Sequence, residues 1–164
     1  MKWPFFPRFQ EVDTLMRIEV RPGSFNPYQE LQEHQSALAN SGKYGATASF
    51  VGTMRDFNEG DTVTGMTLEY YPGMTEREIE KLCHTAMQRW TIQDSLVIHR
   101  VGRLEVGEPI VLVAVWSAHR GDAFDACRYI MEELKHNAPF WKKEKLETGE
   151  RWVERNTDGY SIKQ

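Results

Sequence analysis

The chain has 164 residues, of which 40% are hydrophobic and 27% charged, and its formal net charge is −4. This composition is typical of one globular domain and excludes disorder, collagen or a coiled coil as a description of the whole chain. The acidic balance argues against general nucleic-acid binding but permits a local basic pocket. No apolar run approaches the ~18 residues of a membrane span. The N-terminus is aromatic and proline-rich and lacks the apolar core of a signal peptide, so we expect no export.

The N-terminal half predicts an extension followed by short alternating elements. We expect residues 1–16 to form a weakly ordered extension and residues 17–164 to form the single domain. Alternation of apolar and polar residues predicts strands, and helical spacing predicts helices. The predicted order is a strand at 17–20, a helix at 27–38, a loop at 41–45, a strand at 47–55, a turn or mobile loop with the sequence DFNEGD, and a half-buried strand at 64–71.

The clearest predicted element is the helix that follows. Thr75 and Glu78 have the T-x-x-E spacing of a capping box, which predicts the start of this helix. Apolar residues then recur at helical spacing, namely Ile79, Leu82, Cys83, Ala86, Met87 and Trp90. This periodicity predicts one buried face. A strand at 95–104 and a turn at 105–108 come next.

The run at 109–117 is almost entirely apolar and predicts a central strand buried on both faces. A second helix is predicted to begin near Gly121 and to end before Pro139, which lacks the backbone donor that a helix needs. Its inward residues are expected to be Phe124, Cys127, Ile130, Met131 and Leu134. Residues 142–146 and 151–154 predict a closing hairpin. The mixed order favours an α+β fold with a mostly antiparallel sheet and flanking helices over a doubly wound sheet.

The first candidate site residues are His119 and Arg120, which follow the apolar strand and precede the second helix. A helix N-terminus favours anions, and a neighbouring arginine adds a two-pronged donor for phosphate or carboxylate. The alternative is structural, with Arg120 pairing to a surface carboxylate and His119 packing at the strand end.

A second basic cluster surrounds a proline-aromatic bend. Phe140 and Trp141 are costly to expose, so we expect them to anchor this bend in the core. The bend would then point Lys135, Lys142 or Lys143 into a pocket. A partly desolvated lysine, or one near other cations, has a lowered pKa and can act as acid, base or nucleophile. The alternative is a solvated, lysine-rich face.

Three further residues carry weaker signals. Arg55 stands directly before the polar DFNEGD segment. His99 and Arg100 are neighbours inside a predicted strand, so they should point to opposite faces and at most one of them should face a site. For His99 we favour a structural role.

The two cysteines do not predict sulfur or metal chemistry. Cys83 and Cys127 both fall on predicted apolar helix faces, and neither has the spacing of a metal site. Buried free cysteines act as small hydrophobes. If this protein handles sulfur, neither cysteine is expected to carry it.

Several segments together resemble the large, catalytic subunit of molybdopterin synthase. They are FVGTMR (50–55), LEYYPGMTE (68–76), HRVGRLEVGE (99–108), SAHRGDAF (117–124), LKHNAPFWKKE (134–144) and RWVE (151–154). The resemblance covers residues 45–154, and SAHR combined with K-x₃-P-x-WK-x-E is its most specific part. It implies an α/β-hammerhead fold and a sulfurtransferase of molybdenum-cofactor biosynthesis.

That resemblance also implies a reaction and its partners. A small ubiquitin-like subunit with a C-terminal Gly-Gly thiocarboxylate delivers sulfur to cyclic pyranopterin monophosphate, which forms the dithiolene of molybdopterin. The expected assembly is a central homodimer with one small subunit at each end, in the cytoplasm. No cofactor and no metal are expected in this subunit, because molybdenum is added to the product afterwards.

The family's pocket residues fall on five positions of this sequence, namely Arg55, His119, Arg120, Lys135 and Lys142. Their convergence in one pocket is expected because phosphate and thiocarboxylate are both anions. By the resemblance, His119 and Arg120 would bind the phosphate or pterin and Arg55 would bind an anion beside them. Lys135 would hold the partner's tail and polarise its carbonyl, and Lys142 would transfer protons.

Supporting residues are predicted around these cations. Phe50, Met131 and Pro139 are candidates to line the site, although core packing explains them as well, and Glu144 is a candidate to orient Lys142. Family members also place a basic residue shortly after the WV pair, where it reaches the pocket of the neighbouring subunit. Here the candidates are Arg151 and Arg155.

Two alternatives to the enzyme are a non-catalytic module that binds a ubiquitin-like tail or a phosphorylated ligand, and a structural scaffold with ordinary surface charge. The first would require one of the pocket cations to be missing, and all five are present. The second predicts that removing the charge of Arg120 has no effect.

Overall fold

The computed structural model describes residues 15–39, 41–154 and 159, which contain nine strands and three helices. In chain order the elements are β1 (Leu15–Arg21), α1 (Pro27–Ala37), β2 (Ala46–Thr53), β3 (Phe57–Asn58), β4 (Asp61–Tyr70), α2 (Met74–Arg89), β5 (Ile92–Arg100), β6 (Gly102–Glu105), β7 (Pro109–Ser117), α3 (Arg120–Asn137), β8 (Phe140–Leu146) and β9 (Gly149–Val153). Of the predicted extension, residues 1–14 lie outside the described part, and the first strand begins at Leu15, two residues earlier than predicted.

The first sheet has the strand order β1-β5-β7-β2. Strand β7 pairs antiparallel with both β2 and β5, and its residues 111–117 are buried, so the predicted central strand is confirmed. Strand β1 pairs with β5 in parallel, with Leu15 opposite Asp94. One face of this sheet packs against α1, and the other face packs against α2 and α3.

The second sheet is built around β4, which pairs antiparallel with β3, β6 and β8. Strand β9 continues this sheet beyond β8, so the predicted closing hairpin is present. The predicted α+β class with mostly antiparallel pairing is confirmed. In the described residues, no helix is long and apolar enough to cross a membrane.

The predicted start of α2 is wrong by two residues. Its N-cap is Gly73, whose φ of 81° lies in the left-handed region that glycine adopts readily. The backbone amide of Gly73 donates to Glu76 Oε2 at 2.7 Å. Thr75 is buried instead, and its hydroxyl accepts from the amide of Tyr71 and donates to the carbonyl of Pro139.

Two segments differ from the predicted elements, and in both of them a glycine with positive φ lies where the chain changes direction. The strand predicted at 95–104 is two strands, β5 and β6, which belong to different sheets. The break comes at Val101, before Gly102 with its φ of 82°. The DFNEGD segment, predicted to be a turn or mobile loop, contains β3 and forms a tight hairpin with β4.

Two predicted core aromatics are exposed. Phe124 is 66% exposed because it lies one position beyond the buried stripe that includes Ala123 and Cys127. Trp141 is 48% exposed because successive residues of β8 point to opposite faces of the sheet. Phe140, on the opposite face of β8, packs against the core, so one aromatic and not two anchors the bend.

Candidate active site

The candidate site lies where the end of α3 passes into β8. Lys135 is in the last turn of α3, and Lys142 follows the bend formed by Ala138 and Pro139. This bend is tied to α2 because the hydroxyl of Thr75 donates to the carbonyl of Pro139 at 3.1 Å. The chain therefore returns at a fixed angle and brings two lysines of different elements together.

The environment of Lys135 is partly desolvated and positively charged. Desolvation is the largest cause that lowers its pKa, and the ammonium of Lys142 and the guanidinium of Arg55 add to it. The carboxylate of Glu132 opposes this shift. Three of the five predicted cations are therefore close enough to act on one another, and they come from the loop after β2, from α3 and from β8.

We expect Lys142→Gln to raise the pKa of Lys135, because the substitution removes a neighbouring positive charge. The pKa can be followed through the ¹³Cε resonance of Lys135 as the pH is varied. Lys143→Gln is the matched control, since Lys143 lies on the opposite face of β8 with its Nζ 3.2 Å from Glu150 Oε2. An equal shift of Lys135 in both variants would contradict the arrangement.

Beside Lys142 lies the Glu144 cluster, which consists of Asn58, Lys142, Glu144 and Arg151. The side chain of Glu144 is only 3% exposed, and its Oε1 accepts from Asn58 Nδ2 at 2.8 Å and lies 3.5 Å from Lys142 Nζ. Its Oε2 accepts from Arg151 Nε at 3.0 Å. A buried carboxylate needs such partners, since an unpaired buried charge is strongly destabilising.

Arg55 is exposed and follows β2. Its guanidinium lies over the ring of Phe57, 4.8 Å from the ring centroid. This contact limits the directions that the side chain samples, as expected of a cation–π pair. Arg55 is thus held at the start of the β3 hairpin, on the side of the fold that carries the two lysines.

His119 and Arg120 lie at the opposite end of α3. His119 is the N-cap of the helix and Arg120 is its first residue, and both are exposed. Fifteen residues separate Arg120 from Lys135, which is roughly 22 Å along the helix at about 1.5 Å per residue. Within one chain, the five predicted cations therefore form two groups and not the single pocket that was expected.

The predicted lining residues are divided between core and surface. Met131 is buried in the core cluster between the first sheet and helices α2 and α3. Phe50 is 40% exposed on β2, and Pro139 is half-buried in the bend. Their place in the site stays a prediction.

Residues 26–137 match the family model described as "MoaE protein". The chain belongs to the MoaE family. A Pseudomonas aeruginosa protein named molybdopterin synthase catalytic subunit is 51% identical over 139 residues, which are 85% of this chain and 91% of that protein. A Pasteurella multocida protein of the same name is 52% identical over 152 residues, 92% and 97% of the two chains.

A solved structure is similar as well. The molybdopterin biosynthesis MoaE protein from Burkholderia ambifaria superposes with a TM-score of 0.73 and 44% identity, over 88% of this chain and 94% of that chain. The resemblance to the catalytic subunit of molybdopterin synthase is thereby confirmed, and so is the fold class.

His99, a weaker candidate of this MoaE-family chain for which a structural role was favoured, is buried. Its ring stacks on Phe140 at 3.9 Å, and its Nδ1 is 2.8 Å from the carbonyl oxygen of Arg100. Burial lowers its pKa to about 4, and the charge of Lys135 contributes in the same direction. His99 is thus a neutral support beneath the bend that carries the two lysines.

His99 and Arg100 are both buried, and their side chains contact different parts of the fold, which is consistent with the predicted opposite faces. Arg100 forms an ion pair with Glu108, with 2.9 Å between Nη1 and Oε1, and its Nη2 donates to the carbonyl of Arg103. Arg100 therefore serves the junction of β5, β6 and β7.

Arg151, a candidate for the neighbouring subunit's pocket, is engaged within its own chain. Its guanidinium donates to Glu144, to Asp61 Oδ2 at 2.7 Å and to the carbonyl of Asn58 at 3.1 Å. Arg155, the other candidate, lies outside the described residues. The partners of Arg151 could not be read from the sequence, since Asp61 and Asn58 are about ninety residues away along the chain.

The cysteines are buried and free, as the apolar helix faces predicted. Burial raises the pKa of the Cys83 thiol to about 12 and that of Cys127 to about 11. Because the thiolate is the nucleophile, neither side chain is suited to carry sulfur in this MoaE-family member.

Proposed function

We propose that this chain is the catalytic subunit of molybdopterin synthase. In this proposal it transfers sulfur from the C-terminal thiocarboxylate of a small ubiquitin-like subunit to cyclic pyranopterin monophosphate and forms the dithiolene of molybdopterin. The observation that supports it most directly is the group of Arg55, Lys135 and Lys142, since it lies in a member of a family whose curated relatives bear that name.

The chemistry requires two anions to approach each other. The substrate carries a phosphate and the partner's tail carries a thiocarboxylate, and these repel unless cations lie between them. Lys135 would hold the tail and polarise its carbonyl, because a lysine of lowered pKa can both donate a hydrogen bond and change protonation state. Arg55 would bind an anion at the same entrance.

Lys142 would move protons during sulfur addition and the loss of phosphate or water. Its side chain is 29% exposed and its Nζ lies 3.5 Å from Glu144 Oε1, so its position is set by a fixed carboxylate. A dithiolene contains two sulfur atoms, so each product molecule consumes two thiocarboxylates. The site must therefore release one spent tail and accept another.

His119 and Arg120 would bind the substrate's phosphate or pterin in the pocket of a second copy. At roughly 22 Å from Lys135 along the helix, they are too distant to contact the same small substrate within one chain. A homodimer would place the beginning of one α3 near the end of the other. The full assembly would be this homodimer with one small subunit at each end.

We also propose that the protein works in the cytoplasm. Two free cysteines fit a reducing compartment, where thiols are not oxidised to disulfides.

The direct test is reconstitution with the thiocarboxylated small subunit and cyclic pyranopterin monophosphate, with molybdopterin as the measured product. We expect turnover by the wild-type chain. The absence of product with a fully thiocarboxylated partner would overturn the proposed function.

We expect Arg120→Ala to raise the KM for the pterin substrate by roughly 10- to 100-fold, because a hydrogen bond to a charged group is lost. Arg77→Ala, which removes an exposed arginine of α2, is the control. At substrate concentrations well below the wild-type KM, mixing Arg120→Ala chains with Lys142→Ala chains should give more activity than either variant alone, since one pocket of a mixed dimer would be intact. A mixture no more active than its components would contradict the shared pocket.

A further inference from the structure

We propose that Asn58 is a positioning residue of this site, which acts by fixing the carboxylate of Glu144 and through it the ammonium of Lys142. This inference rests on the proposed function for the role of Lys142 and adds a residue to it. Asn58 is 5% exposed and donates from Nδ2 to Glu144 Oε1 at 2.8 Å. The same oxygen lies 3.5 Å from Lys142 Nζ.

The geometry of the Glu144 cluster is a closed ring. Arg151 binds Glu144 Oε2 with Nε and binds the carbonyl of Asn58 with Nη2. Asn58 completes the ring by donating its side-chain amide to Glu144. Both carboxylate oxygens are therefore occupied by donors from outside β8, and the carboxylate cannot rotate without breaking one of these bonds.

Asn58 also connects this carboxylate to the segment that carries Arg55. It lies three residues beyond Arg55 in β3, a strand of two residues that pairs only with β4 in the described part of the chain. Such a short strand gains little from its backbone pairing. Its bond to Glu144 therefore ties the Arg55 segment to the strand that carries Lys142.

A neutral donor at this position has a specific electrostatic consequence. Asn58 satisfies one carboxylate oxygen without adding charge, so Lys142 remains at 3.5 Å and is not held in a short ion pair. If the amide is removed, Glu144 Oε1 loses that donor and attracts the ammonium of Lys142 more strongly. The ammonium then moves toward the carboxylate and away from the pocket.

Asn58→Ala is the first test. We expect a loss of roughly 10- to 100-fold in kcat/KM, mainly in kcat, because a hydrogen bond to a buried charge is removed. Asn26→Ala is the matched control. Asn26 caps α1 by accepting from the amides of Tyr28 and Gln29, so its loss also destabilises the fold but at a distance from the site.

Asn58→Asp is the second test, because its effect should depend on pH. When protonated, the introduced carboxyl donates to Glu144 as the amide does; when ionised, it cannot donate and repels Glu144. The activity of this variant relative to wild type should therefore fall as the pH rises. The charged groups that face this position are Glu144 and Lys142 from β8, Arg151 from β9, Asp61 from β4, and Glu59 from the β3–β4 turn.

A third measurement does not depend on turnover. Dimethylation of the lysines with ¹³C-formaldehyde gives each a methyl resonance, and that of Lys142 is assigned by its loss in Lys142→Arg. We expect this resonance to shift in Asn58→Ala and to stay unchanged in Asn26→Ala.

The outcomes separate the two proposals. An inactive wild-type enzyme whose Lys142 resonance shifts in Asn58→Ala would overturn the proposed function and support the positioning role. If the wild-type enzyme is active, any one of three results would overturn the role of Asn58. The Lys142 resonance could stay unshifted in Asn58→Ala, or Asn58→Ala and Asn26→Ala could lose equal activity. The third such result is an activity loss in Asn58→Asp that does not depend on pH.

Discussion

Lys142→Ala is expected to lower kcat for molybdopterin formation by about 100- to 10,000-fold, the range that general acid–base groups contribute. The reason is positional, since Lys142 Nζ lies 3.5 Å from the buried carboxylate of Glu144 and its charge lowers the pKa of Lys135. The fold should survive, because the side chain is not part of a core cluster. Single-turnover assays with the thiocarboxylated partner measure the loss directly.

The matched control for that experiment is Lys143→Ala. Lys143 is the next residue on the same strand, but it points to the opposite face, where its Nζ lies 5.5 Å from the ring centroid of Trp152. We expect its activity to stay near that of wild type. Equal losses in the two variants would show that removal of any positive charge from β8 is sufficient, and would contradict the proton-transfer role.

The second large effect is on stability and comes from His99. Its pKa in the folded chain is about 4, below the ordinary histidine value of 6.5, because burial disfavours the charged form. The unfolded chain therefore binds more protons between these two values, so stability falls as the pH is lowered through that window. At about 1.4 kcal/mol per pKa unit, the loss between pH 7 and pH 4 is about 3 kcal/mol.

Urea unfolding at a series of pH values measures this contribution. His99→Phe keeps an aromatic ring against Phe140 and removes the titrating group, so its stability should depend less on pH across this window. His84→Gln is the control, because His84 is exposed on α2 and lies 4.0 Å from Glu80. The assignment would be contradicted if the free energy of unfolding of His99→Phe fell as steeply as that of wild type when the pH is lowered from 7 to 4.

The elements that the sequence predicted well are those with strong local patterns. The apolar run of β7 and the helical spacing in α2 and α3 are each sufficient to identify an element, because burial imposes a periodicity. The exact beginning of α2 was not predictable from T-x-x-E alone. Thr75 has the spacing of a cap, but tertiary contacts with Tyr71 and Pro139 use its hydroxyl instead.

The residue types of the candidate site could be predicted from the sequence, but which of these residues lie close together could be predicted only in part. Lys135 and Lys142 could be associated because only six residues, one of them a proline, lie between them. Asn58 could not be associated with Glu144, since 86 residues separate the two and β3 has only two residues. The separation of Arg120 from Lys135 follows from the length of α3, and the sequence had already predicted a helix between these two residues. The expectation of one pocket came from the resemblance.

The parallel pairing of β1 with β5 has a consequence for how the chain matures. Leu15 pairs with Asp94, so β1, the first strand of the described residues, is synthesised 79 residues before the strand with which it pairs. At roughly 5–20 residues per second, translation leaves that strand without its partner for about 4 to 16 s. Its apolar side chains, Met16 and Ile18, alternate with Arg17, Glu19 and Arg21. These charges discourage pairing between nascent chains. The arginines that later form ion pairs between β1 and α1 therefore also limit aggregation of the strand before β5 is available.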